Sequence, residues 1–168
     1  MPTPESSVPA ARAWPWFALA LAIALADQAV KALVQAGLAP GERIGVLPFF
    51  DLVLVFNRGA AFSFLASAPG WQTPAFLVVA AVASVAISVM LVREPGKRVL
   101  AGGLALILGG AIGNAWDRAV LGHVVDFVLL HAGGWHFPAF NVADSAITVG
   151  AGLVIVDGFL HREAPHAG

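Results

Sequence analysis

GGAIGNAWDRAVLGHVVDFVLLHAGGWHFPAFNVADS, residues 109–145, is the stretch on which the reading of this chain turns. Three aspartates (Asp117, Asp126, Asp144), two asparagines (Asn114, Asn141) and Arg118 crowd into it, although the chain is otherwise strongly apolar. Long apolar runs lie on either side and read as membrane spans. An ionisable group beside lipid costs several kcal/mol unless it meets a polar cavity or a partner, so these residues are functional candidates from the outset.

Composition supports the membrane reading. Of 168 residues, 59% are hydrophobic and only 11% charged, and the mean hydropathy is +0.84. A soluble domain of this length has too little interior to hide that much apolar surface. The formal net charge of -1 offers nothing to nucleic acid, and the lack of cysteine excludes disulfides, thiol nucleophiles and thiolate metal sites. The length suits one helical bundle, expected as a single membrane domain over 1–168.

Working outward, spans are expected at about 14–35, 74–92, 98–116 and 141–161, after a disordered Pro/Ser/Ala-rich tail over 1–13. Pro15 suits the first turn of the first helix. That run is not a cleaved leader, since no persuasive cleavage site follows and Asp27 and Lys31 interrupt its far end. Arg43 to Phe64 is rich in β-branched and aromatic residues with Pro48 and Gly59 as punctuation, which predicts short strands or a hairpin on the membrane surface. A second strand pair is expected between His123–Leu130 and Trp135–Phe140. The glycines of the third span permit close helix packing. Those from Gly109 to Gly113 equally leave room for an acyl-bearing substrate residue, and the sequence does not choose between the two.

Four spans put both termini on one side. Arg12, Arg93, Lys97, Arg98 and Arg162 all fall there, so that side is expected to be cytoplasmic. The polar cluster then lies on the outer side.

Asp126 sits inside the apolar run VVDFVLL, where a carboxylate has no packing value, and Asp144 sits in the first turn of the last span. Two carboxylates in a low dielectric cannot both ionise, so a pair shares a proton, and one member can activate water while the other donates. The bland alternative for Asp144 is helix capping, with Asn141 as a competing cap. Asn114, Asp117 and Arg118 read equally as a polar collar, with Arg118 snorkelling to a carboxylate, or as groups that orient the aspartates and contact substrate. Asp27 and Lys31, four apart, default to an intrahelical ion pair, and Asn57 with Gly59 to a turn. The tail tract HREAPH has the wrong spacing for zinc.

At these residues the chain resembles the lipoprotein signal peptidases (type II signal peptidases) of bacteria. DQAVK (27–31), NRGAAF (57–62), GNAWDR (113–118), GHVVDF (122–127) and FNVADS (140–145) carry the resemblance. Each is weak alone, but together they run in order from the first span to the last. The resemblance implies a four-helix membrane bundle with a small periplasmic β-cradle, working as an intramembrane aspartic endopeptidase with Asp126 and Asp144 as its dyad. Its substrates would be prolipoproteins already carrying diacylglycerol, cut on the amino side of the lipidated cysteine. Asn57, Gly59, Asn114, Arg118 and Asn141 would line the substrate groove, supported by Asp27 and Lys31. No cofactor or metal is required. The protein is expected in the bacterial inner membrane as a monomer in contact with lipid, with its site near the periplasmic face.

The alternative is a small proton-coupled carrier that uses the aspartates as relays. It calls for acids near the bilayer midplane and for broken helices in two repeats. Only Asp27 is a mid-span candidate, and the halves show no repeat. A non-catalytic scaffold leaves Asp126 unexplained.

Overall fold

The structure is a computed structural model in which residues 9–59 and 70–161 are described. The elements run α1 (Pro9–Gly37), β1 (Arg43–Leu47), β2 (Phe50–Asn57), α2 (Gln72–Arg93), α3 (Arg98–Leu121), β3 (Val124–Ala132), β4 (Trp135–His136) and α4 (Val142–Leu160). All four helices are long and apolar enough to cross a membrane. Their outward side chains are apolar too. Val78, Val82 and Val85 on α2, with Ile155 and Phe159 on α4, are exposed in rows that only lipid would cover at no cost. This is a multi-pass membrane protein.

Two boundaries differ from expectation. Helix α1 begins at Pro9, inside the stretch expected as a tail, so Pro15 lies within the helix, where its missing N–H removes one backbone bond. The remainder of that tail (1–8), Ala60 to Phe62 of the NRGAAF motif, and HREAPH after His161 lie outside the described residues. Helix α3 runs on to Leu121 and stops at Gly122, whose φ of 75° provides the left-handed turn that ends it.

Helix α3 packs against each of the other three helices, and its glycines let α1 and α4 come closest. A Cβ on Gly103 would lie 2.7 Å from the Gly150 carbonyl oxygen of α4, and one on Gly109 would lie 2.5 Å from that of Ala20 in α1. A Cβ on Gly110 would come to 2.4 Å from the carbonyl oxygen of Ala143. The space beside Gly110 is therefore filled by the first turn of α4. The acyl-chain alternative does not hold at this residue.

The strands form one sheet in the order β1-β2-β3-β4. The expected hairpin is β1 with β2. Sequence reading did not anticipate that β2 also pairs with β3, from Asn57↔Val124 to Phe50↔Leu130, joining the first and third connections. The expected Trp135–Phe140 strand shrinks to Trp135–His136, because Pro138 has no N–H to give to a ladder. Phe140 rejoins alone, bridging to Val128. Val125, Phe127 and Leu54 pack on Val34 and Leu38 at the end of α1, which seats the sheet on the bundle. Beyond that contact Asp51, paired opposite Gly45 and Leu129, ties the strands together by accepting from Arg43 of β1 and lying 3.1 Å from His131 Nε2 of β3. Burial would push the Asp51 carboxyl up, but the bonds and charges of Arg43 and His131 outweigh it and hold the group below the ordinary carboxylate range.

Candidate active site

Strand alternation aims Asp126. Its neighbours Val125 and Phe127 face the core, so Asp126 projects from the opposite face of β3, although it is itself buried. Asp144 is aimed by the start of α4. Asn141 is the N-cap, its Oδ1 accepting from the Asp144 backbone N–H at 2.9 Å, while Asp144 Oδ2 accepts from the Asn141 N–H at 3.3 Å. This reciprocal box closes the helix end. Capping and aiming are therefore the same bonds, and the two sequence readings of Asp144 do not compete. Its other oxygen accepts from Asn114 Nδ2 at 2.8 Å.

Asn141 also joins the two carboxylates. Its Nδ2 donates to Asp126 Oδ1 at 2.8 Å, and to Asn114 Oδ1 and the Val125 carbonyl at 3.1 and 3.2 Å. Asn57 completes the set. Gly59 N–H donates to its Oδ1 at 2.9 Å, which fixes the amide so that Nδ2 donates to Asp126 Oδ2 at 3.0 Å. The Asn57–Gly59 turn is thus real and also serves the site. Burial pushes the Asp126 carboxyl up to about 7, the negative charge of Asp144 adds to the shift, and Asn57, Asn141 and Lys31 oppose it. Both aspartates line one cavity of about 560 Å³ whose apolar wall includes Leu130, Phe137, Phe140 and Ile147.

Behind them lies a second polar group, fully buried. Lys31 Nζ is 2.7 Å from Asp27 Oδ2, 2.8 Å from Asp117 Oδ2 and 3.0 Å from Asn114 Oδ1, so all three of its donors are used. Gln28 Nε2 donates to Asp117 Oδ1 at 2.8 Å and to the Gly113 carbonyl at 3.1 Å. A Cβ on Gly113 would lie 2.7 Å from Asp27 Oδ2, so a glycine there is what lets this carboxylate in.

A buried and a half-buried aspartate are thus paired at one end of a four-helix membrane bundle, held by asparagines from three separate segments. The family model described as Signal peptidase (SPase) II matches residues 19–160. The chain belongs to the signal peptidase II family. It is 51% identical over 143 residues to the lipoprotein signal peptidase of Paraburkholderia phymatum, covering 85% of this chain and 86% of that one. The lipoprotein signal peptidase of Paraburkholderia phytofirmans is 50% identical over 154 residues, covering 92% and 90%. That of Janthinobacterium sp. (strain Marseille) is 50% identical over 143 residues, covering 85% and 87%. Among solved structures, a bacterial membrane enzyme determined by the in meso method at 2.3 Å superposes with a TM-score of 0.78 at 24% identity, over 92% of this chain and 94% of that one. A second, at 1.9 Å, gives 0.75 at 26% identity over 89% and 94%.

As a signal peptidase II, the chain is a peptidase, and its sequence-predicted residues can be placed one by one. Asn57, Asn114, Arg118, Asp126 and Asp144 line the cavity. Asn141, expected in the groove, is instead fully buried and meets both aspartates from behind the wall, and Gly59 is also not part of the lining. Arg118, however, pairs with no carboxylate among the described residues. It donates to the carbonyls of Gly59 at 3.2 Å and Asn114 at 3.4 Å and lies 4.8 Å over the Phe76 ring. The reason is angular, because Asp117, its sequence neighbour, is turned about 100° around the helix toward Lys31. Asp27 and Lys31 form the expected intrahelical pair but sit behind the cavity rather than on it. Gln28 was missed. Its one available signal was the i, i+3 spacing to Lys31, which puts both on one face of α1.

Proposed function

We propose that this chain is an aspartic endopeptidase that removes the signal peptide from diacylglyceryl-modified prolipoproteins, cutting on the amino side of the lipidated cysteine. The observation that carries the reading is that Asp126 and Asp144 line one cavity, share Asn141, and lack a cation partner among the described residues. Neutral amide donors fix the position of a carboxylate and offset its burial only in part, and the pair is left to share a proton. One carboxylate takes a proton from water as the water attacks the scissile carbonyl. The other donates its proton to the carbonyl oxygen. As the resulting gem-diol collapses it takes that proton back, and the first carboxyl passes the proton it took from water to the leaving amine. The pair titrates as a unit, so acid and base roles belong to the pair rather than to one residue.

The apolar wall of the cavity beside the carboxylates suits a residue bearing acyl chains. Arg118, held by backbone carbonyls and an aromatic face, keeps donors at the cavity for substrate carbonyls. In this reading the protein lies in the bacterial inner membrane with both termini cytoplasmic and the aspartates near the periplasmic face. Arg93, Lys97 and Arg98 at the α2–α3 turn support that orientation.

The test is cleavage of a diacylated prolipoprotein beside its unlipidated form by the purified protein. Cleavage of the lipidated form alone is expected. Equal cleavage of both overturns the lipid requirement, and cleavage of neither overturns the proposal.

A further inference from the structure

We propose that Asp27, Gln28, Lys31 and Asp117 act as a positioning device that sets the spacing of the Asp126 and Asp144 carboxyl groups. The inference rests on the endopeptidase reading and concerns four side chains that do not line the cavity.

Three routes lead from one ammonium to the two aspartates. Through Asp27, whose Oδ1 accepts the Ala143 N–H at 2.9 Å, Lys31 holds the backbone of α4 one residue before Asp144. Through Asp117, whose Oδ2 accepts the Val125 N–H at 3.1 Å, it holds the backbone of β3 one residue before Asp126. Through Asn114 it decides an amide orientation. With Asn114 Oδ1 occupied by Lys31 and by Asn141, its Nδ2 is turned to Asp144. Gln28 bonds the far oxygen of Asp117 and stops that carboxylate from rotating.

Stability alone is a poor account of this group. Desolvating three charges costs about as much as their attraction returns, and apolar residues of similar volume often do as well. What apolar residues cannot do is grip two backbone N–H groups on different elements from a single point. Each gripped amide adjoins one aspartate, so movement of the lysine would move both carboxyl groups.

The device also carries charge, which makes it testable. The charged groups around Lys31 are Asp27 on α1 and Asp117 on α3, followed by Asp144 on α4, Asp126 on β3 and Arg118 on α3. Removing the cation leaves the aspartate pair in a more negative field, and removing either flanking carboxylate leaves it in a more positive one. The experiment measures kcat, KM and the pH profile of kcat on diacylated prolipoprotein for the wild type, Lys31→Met, Asp27→Asn and Asp117→Asn, with Asp126→Asn as the inactive control. The three variants are expected to lose about 10²-fold in kcat with KM within about twofold of wild type. The limbs of the profile should move by about half a pH unit, upward in Lys31→Met and downward in Asp27→Asn and Asp117→Asn. The two Asp→Asn changes keep volume, and their downward shift carries the decision if Lys31→Met does not fold. Unchanged kcat per folded molecule, or limbs that stay in place while only the folded fraction falls, overturns the positioning role. An inactive wild type, or an active Asp126→Asn, overturns the endopeptidase reading, and the inference falls with it.

Discussion

The bundle holds two pairs of aspartates, and they differ in what stands between them. Asp27 and Asp117 enclose the ammonium of Lys31 at 2.7 and 2.8 Å, with every donor of the lysine used and neither carboxylate among the residues that line the cavity. Asp126 and Asp144 are joined by Asn141, a neutral amide, and open onto a cavity. The residue type is the same, and the partner decides the outcome. A cation grips its two carboxylates from one point. The amides on Asp126 offset its burial only in part, so its carboxyl is still pushed up to about 7, where it can both accept and release a proton near neutrality.

The largest test of this contrast is the neutral exchange of each cavity aspartate. Asp126→Asn and Asp144→Asn should each lower cleavage by at least about 10³-fold in an end-point and initial-rate assay, with the protein still inserted and folded. Near-wild-type turnover in either variant removes that residue from the chemistry and breaks the comparison.

Asn141→Ala sharpens it. Loss of the shared amide should reduce kcat by about 10²-fold through misplacement of both carboxyl groups. It also removes the N-cap of α4, at about 1 kcal/mol. A thermal midpoint measured beside the rate separates the two effects. A loss of stability with unaltered kcat would mean that Asn141 only caps the helix.

Gly110→Ala probes the frame that carries both pairs. Its new methyl would meet the Ala143 carbonyl, 2.4 Å from the ideal position, at the first turn of α4. The expected cost is about 1–3 kcal/mol of stability. A raised KM for lipidated substrate with an unchanged melting temperature would return the acyl chain to this site.

The smallest expected effect is a difference in how stability varies with pH. Asp126 titrates near 7 when folded and near about 3.9 when unfolded. Its folded value is the higher one, so the folded protein binds the proton more tightly. The stability this brings is present at low pH and is lost as pH rises from about 4 to about 7. Asp126→Asn lacks that dependence. Its thermal midpoint should therefore gain on the wild type across that interval, by about 2–4 °C for each kcal/mol, and a constant difference would argue that Asp126 is ionised throughout.

Much of this was legible in the residues. Apolar run lengths predicted four helices, β-branched and aromatic enrichment predicted strands around Arg43–Phe64, and five short motifs in order pointed to the family. Asp126 stood out because a carboxylate within VVDFVLL has no packing use. Other features were not legible, each because it depends on residues far apart in the chain. Asn57 reads as a turn until β2 lies beside β3 and its amide meets Asp126, 69 residues away. Gly110 reads equally as a packing contact or as open space until α4 arrives to fill it, and Gln28 is unremarkable until Asp117 appears across the α1–α3 interface.

By itself the sequence determined which segments are long and apolar enough to cross the membrane, and it singled out Asp126 as a carboxylate without a local use, because span length and apolar patterning are properties of consecutive residues. Only the tertiary structure decided which carboxylates receive a cation. Lys31 can reach Asp27 from its own helix, but Asp117 comes to 2.8 Å only because glycines at 109 and 113 let α1 and α3 approach backbone to backbone. That approach commits the lysine to the rear pair. The pair at the cavity is left with amides for partners.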